Sequence, residues 1–292
     1  MGRGVKYTAR RRALEAVLRE VYRFDWPARL WALVPGSCDV NVERRTIAAL
    51  APGAPPLRVA FASDLHIGPT TPEPLLARVE RTLHDLAPDV LLLGGDYVFL
   101  EATPEKAARL AAFVRHVGAR RTFAVMGNHD LWTEHHLLEE ALASVGARLL
   151  VNEGARLEGA HADVLVSGID DPWTGTPDAA LAFRDARPDD VRGAVSHAPE
   201  ALPLALPYHP VVLLCGHTHG GHVALPGGIP IVVPGPLGRI HSSGSYHIGT
   251  TELIVSRGVG AVEVAFRAFA PPDVVIVDLV ARTQDARHPP PV

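Results

Sequence analysis

The strongest constraint on how this chain folds is the placement of five short blocks of metal-binding residue types. They are Asp64-Leu65-His66, Gly95-Asp96, Gly127-Asn128-His129-Asp130, Ser196-His197 and Gly216-His217-Thr218-His219. Most of them close an apolar, strand-like run. A fold that uses them together must therefore bring several strand ends to one place. Jointly they offer more oxygen and nitrogen ligands than one ion needs, and no thiolate. That combination points to a two-metal hydrolytic centre.

The apolar runs alternate with helical patterns. Residues 57–62, 90–93 and 122–126 read as strands, and residues 74–86, 104–116 and 135–145 read as helices, the second with Pro104 in its first turn. Strand and helix in alternation predict a largely parallel sheet covered by helices. After residue 147 short strand candidates follow closely, at 148–151, 155–158 and 164–168. Those at 192–196 and 211–215 each deliver a histidine block. Residues 201–206 read as a short helix limited by Pro203 and Pro207, and strands are expected at 229–233, 252–256, 262–266 and 274–279. The run Ala-Pro-Gly-Ala-Pro-Pro at 51–56 reads as a linker. It divides an N-terminal segment, residues 1–50, from a domain at 57–280, with 281–292 as a flexible tail.

Bulk properties narrow the function classes. With 292 residues the chain is long enough for one large domain or two small ones. A formal net charge of -4 gives no reason to expect a nucleic-acid partner. The two cysteines, Cys38 and Cys215, are expected as free thiols. No apolar run reaches the roughly 18 residues of a membrane span. The basic N-terminus is not followed by the apolar stretch of a secretory signal. A cytoplasmic location is expected.

The charge is unevenly placed. Residues 1–31 hold eight Lys/Arg against Glu15, Glu20 and Asp25, and the rest of the chain is net negative. Within that segment Leu14, Val17, Leu18, Val21 and Tyr22 recur at helical spacing, with Trp26, Leu30 and Trp31 after them. A basic amphipathic helix followed by tryptophans fits peripheral contact with the cytoplasmic face of a membrane. The same pattern fits a helix packed on the main domain with its arginines in water.

Each block has a chemical reading and a plain one. Residues i and i+2 of a strand face one side, so Asp64 and His66 at a strand exit can aim at one ion. The plain reading is a capping Asp beside an unrelated His. Gly94 and Gly95 let the chain turn tightly, so that Asp96 projects over a strand end. Its two oxygens can bridge two cations. Asn128 offers a neutral carbonyl ligand, His129 can face the substrate, and Asp130 can hold the His129 ring by accepting its N–H. Alternatively Asn128 and Asp130 only cap the next helix. His197, His217 and His219 follow apolar runs, with His217 and His219 flanked by glycines.

All five blocks in this order resemble the calcineurin-like metallophosphoesterases, whose pattern is Asp-x-His, Gly-Asp, Gly-Asn-His-Asp/Glu, His and Gly-His-x-His. The resemblance spans about residues 57–280. It implies an α/β fold, a four-layer αββα sandwich of two mixed β-sheets flanked by helices. It also implies Asp64, His66 and His219 as ligands of a first metal, Asn128, His197 and His217 as ligands of a second, and Asp96 as the bridge. His129 is implied as the catalytic histidine facing the substrate, with Asp130 orienting it. The stretches 216–221, 255–260 and 271–274 are similar to a bacterial phosphodiesterase branch related to membrane-associated and lipid-precursor pyrophosphohydrolases. That branch often has Gln where this chain has His222, which puts His222 at the substrate edge of the site. Arg257 is a candidate for gripping a second phosphate or a substrate carboxyl end, the plain reading being a surface or ion-paired arginine.

The chemistry expected is hydrolysis of a phosphodiester or pyrophosphate by a hydroxide that bridges two divalent metal ions. The donor set suits Mn, Zn or Fe. A phosphate ester substrate, lipid-linked and met at the membrane surface, is the leading expectation. A soluble phosphomonoesterase or protein phosphatase is the alternative, because the same centre serves both. A non-catalytic metal-bound scaffold usually lacks ligands that are all present here.

Overall fold

The computed structural model describes residues 8–283. The chain opens with two helices, α1 (Ala9–Val21) and α2 (Trp26–Trp31). The strands are β1 (Asn41–Leu50), β2 (Leu57–Ala62), β3 (Val90–Leu93), β4 (Arg121–Ala124), β5 (Arg148–Leu149), β6 (Glu153–Arg156), β7 (Val164–Gly168), β8 (Val191–Val195), β9 (Val212–Cys215), β10 (Ala224–Leu225), β11 (Ile229–Pro230), β12 (Gly244–Ile248), β13 (Thr251–Val255) and β14 (Asp273–Ala281). Between them run α3 (Glu73–Asp85), α4 (Pro104–Val117), α5 (Asn128–Leu131), α6 (His135–Ser144), α7 (Ala179–Ala182), α8 (Leu202–Ala205) and α9 (Pro236–Ile240).

Two six-stranded sheets form, in the orders β1-β14-β2-β3-β4-β5 and β12-β13-β9-β8-β7-β6. Both are mixed: β2, β3, β4 and β5 are parallel and β14 is antiparallel to β2, while β7, β8, β9 and β13 are parallel and β6 and β12 are antiparallel.

The central strands read as unbroken apolar runs because both of their faces are covered. Leu57, Val59, Phe61, Val90 and Leu92 point inward to meet Val166, Val195, Val212 and Leu214 of the other sheet. Their neighbours Ala60, Ala62, Leu91 and Leu93 point outward onto Leu76, Val79, Leu83, Leu110 and Phe113 of α3 and α4. Leu213, Cys215, Leu253 and Val255 face a third cluster with Ala182, Leu202 and Ala205. The result is helix, sheet, sheet, helix, as the resemblance implied. Cys38 and Cys215 are both free, and no helix of the described residues is long and apolar enough to cross a membrane.

The structure differs from the sequence reading in several places. Residues 41–50 are not part of a separate segment; they pair in parallel with β14 as the edge strand of the first sheet, with a register shift between Ala48 and Leu50. The Pro/Gly run at 51–56 is therefore a connection inside the domain. Its composition marks a turn, and a turn alone does not distinguish a linker from a strand connection. Residues 262–266 form no strand, because no neighbouring strand offers them a ladder. In place of a strand at 229–233, only Ile229–Pro230 pairs, with Ala224–Leu225. Strand β14 runs to Ala281, and residues 284–292 of the expected tail lie outside the described residues.

Helix α1 is capped by Thr8, whose hydroxyl accepts the Arg11 N–H at 3.1 Å. Phe24 and Asp25 then adopt left-handed backbone and break the chain into α2. Helix α1 turns a mixed face inward. Arg11, Glu15, Leu18 and Tyr22 lie on the inner face, where Arg11 pairs with Glu15 and Glu263, and Tyr22 donates to the Glu263 carbonyl. Leu14, Val17 and Val21 are on the outer face, 43 %, 58 % and 51 % exposed. Leu14, Val17 and Val21 of the apolar stripe thus face away from the domain, while Leu18 and Tyr22 face it.

Candidate metal centre

Every block lies just past the carboxyl end of a parallel strand: β2, β3 and β4 in one sheet, β8 and β9 in the other. Strand ends of this kind are where α/β folds gather ligands. The ligand pairs are not aimed by strand alternation, as the spacing suggested. Asp64, His66, Asp96, His217 and His219 all have positive φ, between 43° and 69°, beyond the ends of their strands. Left-handed backbone at non-glycine residues is costly and marks a strained, over-determined site. Two glycines make the crowding possible. A Cβ on Gly127 would collide with Asp96 Oδ1, and one on Gly216 would collide with Ser63 and with Asp64 Oδ2.

Two groups of donors converge. In the first, Asp64, His66 and His219 can hold an ion. The Nε2 atoms of His66 and His219 are 3.2 Å apart, and Asp64 Oδ1 is 3.4 Å from His219 Nε2. In the second, Asp96, His197 and His217 can hold an ion, with His217 Nδ1 3.2 Å from His197 Nε2. Asp96 Oδ2 stands between the groups, 3.1 Å from His197 Nε2 and 3.7 Å from His66 Nε2. Its other oxygen accepts the His129 backbone N–H at 2.8 Å. His197 Nδ1 lies 2.8 Å from the Gly94 carbonyl. A carbonyl only accepts, so that nitrogen carries the proton and Nε2 presents a lone pair to the centre. Asn128 Oδ1 is buried and accepts no hydrogen bond. A buried carbonyl left without a donor fits a cation as its partner.

The electrostatics agree with a cation site. Burial, and then repulsion from Asp96, pushes the Asp64 carboxyl up to about 6. Burial lowers His66 to about 4 and His217 to about 3. Burial also disfavours charge on His197, yet the neighbouring carboxylates, Asp96 foremost, outweigh it and raise its pKa well above the ordinary value. In a protein without metal, a proton on His197 would stand in for a metal's positive charge.

A sequence model of the calcineurin-like phosphoesterases matches residues 57–221. The chain belongs to that family. It is an enzyme that hydrolyses phosphoric esters. The phosphoesterase is 28 % identical over 279 residues to phosphodiesterase YaeI of Escherichia coli (strain K12), covering 93 % of this chain and 99 % of the relative. It is 25 % identical over 232 residues to metallophosphoesterase YkuE of Bacillus subtilis (strain 168), covering 76 % and 78 %. Among solved structures, the protein TT1561 of Thermus thermophilus matches with 14 % identity and a TM-score of 0.47, over 70 % of this chain and 90 % of that one.

Two sequence assignments on this phosphoesterase need revision, those of Asp130 and Arg257. Asp130 does not hold the His129 ring. Its Oδ2 accepts the Asp96 and Gly127 N–H groups at 2.7 and 3.0 Å, and its Oδ1 accepts Tyr97 N–H at 2.7 Å. As N3 of the short α5 it turns back onto free amides, so it shapes the Asp96 loop. Arg257 is not free to grip phosphate: its Nη1 lies 3.0 Å from Asp273 Oδ2 and 3.4 Å from Glu43 Oε1. His222 borders the centre, with its ring 5.5 Å from that of His219 and its Nε2 3.1 Å from the Val264 carbonyl.

The structure adds residues that the motifs did not. The buried Arg267 guanidinium lies 2.8 Å from His219 Nδ1 and donates to the Arg257 carbonyl at 2.8 Å and to the Ala270 carbonyl at 3.0 Å. It reaches the site from the irregular segment before β14, and nothing in the local pattern announced it. Asp171 is fully buried past the end of β7; one oxygen accepts Thr174 N–H at 2.7 Å and the other has no partner. Burial raises its carboxyl to about 6. Ile169-Asp170-Asp171 after an apolar run repeats the signature of the other blocks, so this residue was open to discovery from sequence. His129 is flanked by the rings of Trp132 and Phe99, at 4.9 and 5.7 Å.

Proposed function

We propose that this phosphoesterase cleaves a phosphodiester or pyrophosphate bond of a lipid-linked substrate at a membrane surface. The observation that carries the chemistry is the pair of three-donor groups with Asp96 between them. In this reading Asp64, His66 and His219 would hold one divalent ion, Asn128, His197 and His217 would hold a second, and Asp96 would serve both. Mn, Zn and Fe suit the donors. Such a pair of ions neutralises the substrate anion and supplies an acidified water as nucleophile. The protein does the rest. Asp96 Oδ1 ties the His129 backbone, and Trp132 and Phe99 flank its ring. Burial lowers the His129 pKa well below its ordinary value, so its ring is neutral at pH 7 and offers one N–H to a phosphoryl or leaving-group oxygen. Asp130 fixes the loop that carries Asp96.

The outward apolar stripe of α1 supports the membrane part. Leu14, Val17 and Val21 are flanked by exposed Arg10, Arg12 and Arg19, the layout of a helix lying in a lipid interface. Anionic lipid of the cytoplasmic leaflet is the matching surface.

The test is a comparison of rates. Protein loaded with Mn2+ is expected to hydrolyse bis-p-nitrophenyl phosphate faster than p-nitrophenyl phosphate, and Asp96→Asn is expected to abolish both. A preference for the monoester would move the reading to a phosphomonoesterase or protein phosphatase. Full activity in Asp96→Asn would sink the metal assignment.

A further inference from the structure

A sixth strand end closes on the metal centre. Strand β7 runs parallel beside β8, and the Ile169 N–H continues their ladder by donating to the Val195 carbonyl at 2.9 Å. The next residues, 170–174, therefore turn beside Ser196 and His197. Asp171 is fully buried in that turn. Its Oδ2 accepts the Thr174 N–H at 2.7 Å, and its Oδ1 has no hydrogen-bond partner. The Trp173 ring lies 5.0 Å from that of His217. The charged groups that act on the Asp171 carboxyl are His197 and Asp96, both of the second donor group. A buried carboxylate oxygen without a donor costs free energy unless a positive charge stands near it.

The opposite charge stands behind the first group. The buried Arg267 guanidinium lies 2.8 Å from His219 Nδ1, and the carboxylates that act on it are Asp273 and then Asp64. Burial lowers its pKa only to about 10, so it stays charged at neutral pH. The donors themselves are unequal. Asp64, His66 and His219 include a carboxylate of their own, whereas Asn128, His197 and His217 include none, and Asp96 stands between. On donors alone the first ion is held more tightly. Arg267 weakens the better set and Asp171 strengthens the poorer one, so both backing charges narrow the gap. Asp171 is not among the converging donors, so it acts from beside them.

We propose that Asp171 is a positioning residue for the second metal ion: its carboxylate supplies beside His197 the negative charge that Asp64 gives to the first ion. The two ions are then held over one range of metal concentration, and the pair forms without a long-lived half-loaded protein. This rests on the two-metal reading above.

The experiment dialyses the full chain, loaded with Mn2+, against stepwise lower free Mn2+. Bound metal is read by elemental analysis and the coupled ion pair by electron paramagnetic resonance. The ion left at half loading is placed by anomalous diffraction. Wild type is expected to release both ions over one narrow range of free Mn2+. Asp171→Asn removes the charge while its side-chain oxygen still accepts from Thr174. It is expected to release one ion at a free Mn2+ about tenfold or more above wild type, the usual size of effect for a residue behind metal ligands. A lone, uncoupled ion then remains at Asp64, His66 and His219 and departs at the wild-type concentration. Asp171→Ser, also uncharged, reads the same quantity if the Asn variant does not fold. Asp170→Asn, the neighbouring carboxylate that accepts Thr176 N–H at 2.9 Å, is expected to follow wild type. Release curves of the uncharged Asp171 variants that match wild type overturn the proposal. So does an equal shift of both ions, an equally large shift in Asp170→Asn, or a lone ion found at Asn128, His197 and His217. If wild type never holds a second ion, the two-metal reading itself fails and the proposal with it. A two-ion wild type with unmoved variants fails the proposal alone.

Discussion

Asp96 and His129 touch through one hydrogen bond but act differently. Asp96 Oδ2 faces both donor groups, whereas no side-chain atom of His129 is needed by either. His129→Ala is therefore expected to keep two metal equivalents by elemental analysis while kcat falls about 10²–10³-fold. Loss of metal in that variant would make His129 a ligand. Asp130 sets a second test. In Asp130→Asn an amide NH2 would face backbone N–H donors on one side, since both carboxylate oxygens now accept from amides. A cost of about 2–3 kcal/mol in urea unfolding is expected, because a buried amide N–H would then face another donor. If Asp130 instead served the His129 ring, stability would hold and only the pH–rate profile would move.

At the scale of elements, the strands and their blocks were readable because period and position coincide: a run buried on both faces is continuously apolar, and its carboxyl end carries the ligand. Strand β7 lies wholly within its expected range, and β2, β3 and β9 begin or end within a residue of theirs. Strand β1 was missed for a physical reason. It is an edge strand with alternating exposed positions and two arginines, so its burial pattern is weak. Arg267 was missed because a side chain that arrives from an irregular segment leaves no periodic trace. Helix α1 shows a further limit. Its apolar stripe was legible, but which side faces the domain was not, because Arg11 and Glu15 form an inward ion pair that no hydropathy pattern reveals. Two predictions separate its faces. Val17→Asp on the exposed side is expected to weaken binding to anionic liposomes at least tenfold while leaving the melting temperature within about 1 °C, as surface changes do. Arg11→Met on the inner side is expected to cost about 1–3 kcal/mol of stability by removing the guanidinium from Glu15 and Glu263. Unchanged liposome binding in Val17→Asp would remove the interfacial role of α1.

At the scale of the molecule, the two sheets meet so that their strand ends pool buried acids: Asp64, Asp96, Asp130 and Asp171 all sit at one rim. Without cations this charge opposes folding, and the pKa directions say how. Burial, then Asp96, raises Asp130 to about 8, and His197 is also raised. A group with a raised folded pKa contributes stability at low pH that is lost as pH rises through that value. Asp64 and Asp171, raised to about 6, have lost theirs by neutral pH. The lowered histidines, His66 and His217, act only below about pH 6.5, where the unfolded chain takes up protons that they refuse. Between about pH 6.5 and about pH 8.5 the metal-free protein therefore loses stability. Bound divalent ions replace the lost protons, so the loaded protein is spared. Chelation is expected to lower the melting temperature by on the order of 10 °C near neutral pH, for ions present at about a thousand times their Kd. The gap should widen steadily toward about pH 8.5. Calorimetry of matched metal-free and Mn-loaded samples reads it directly. A gap that stays constant or narrows with rising pH would mean that these acids are not neutralised by the ions, and that the shared rim is not where the metals bind.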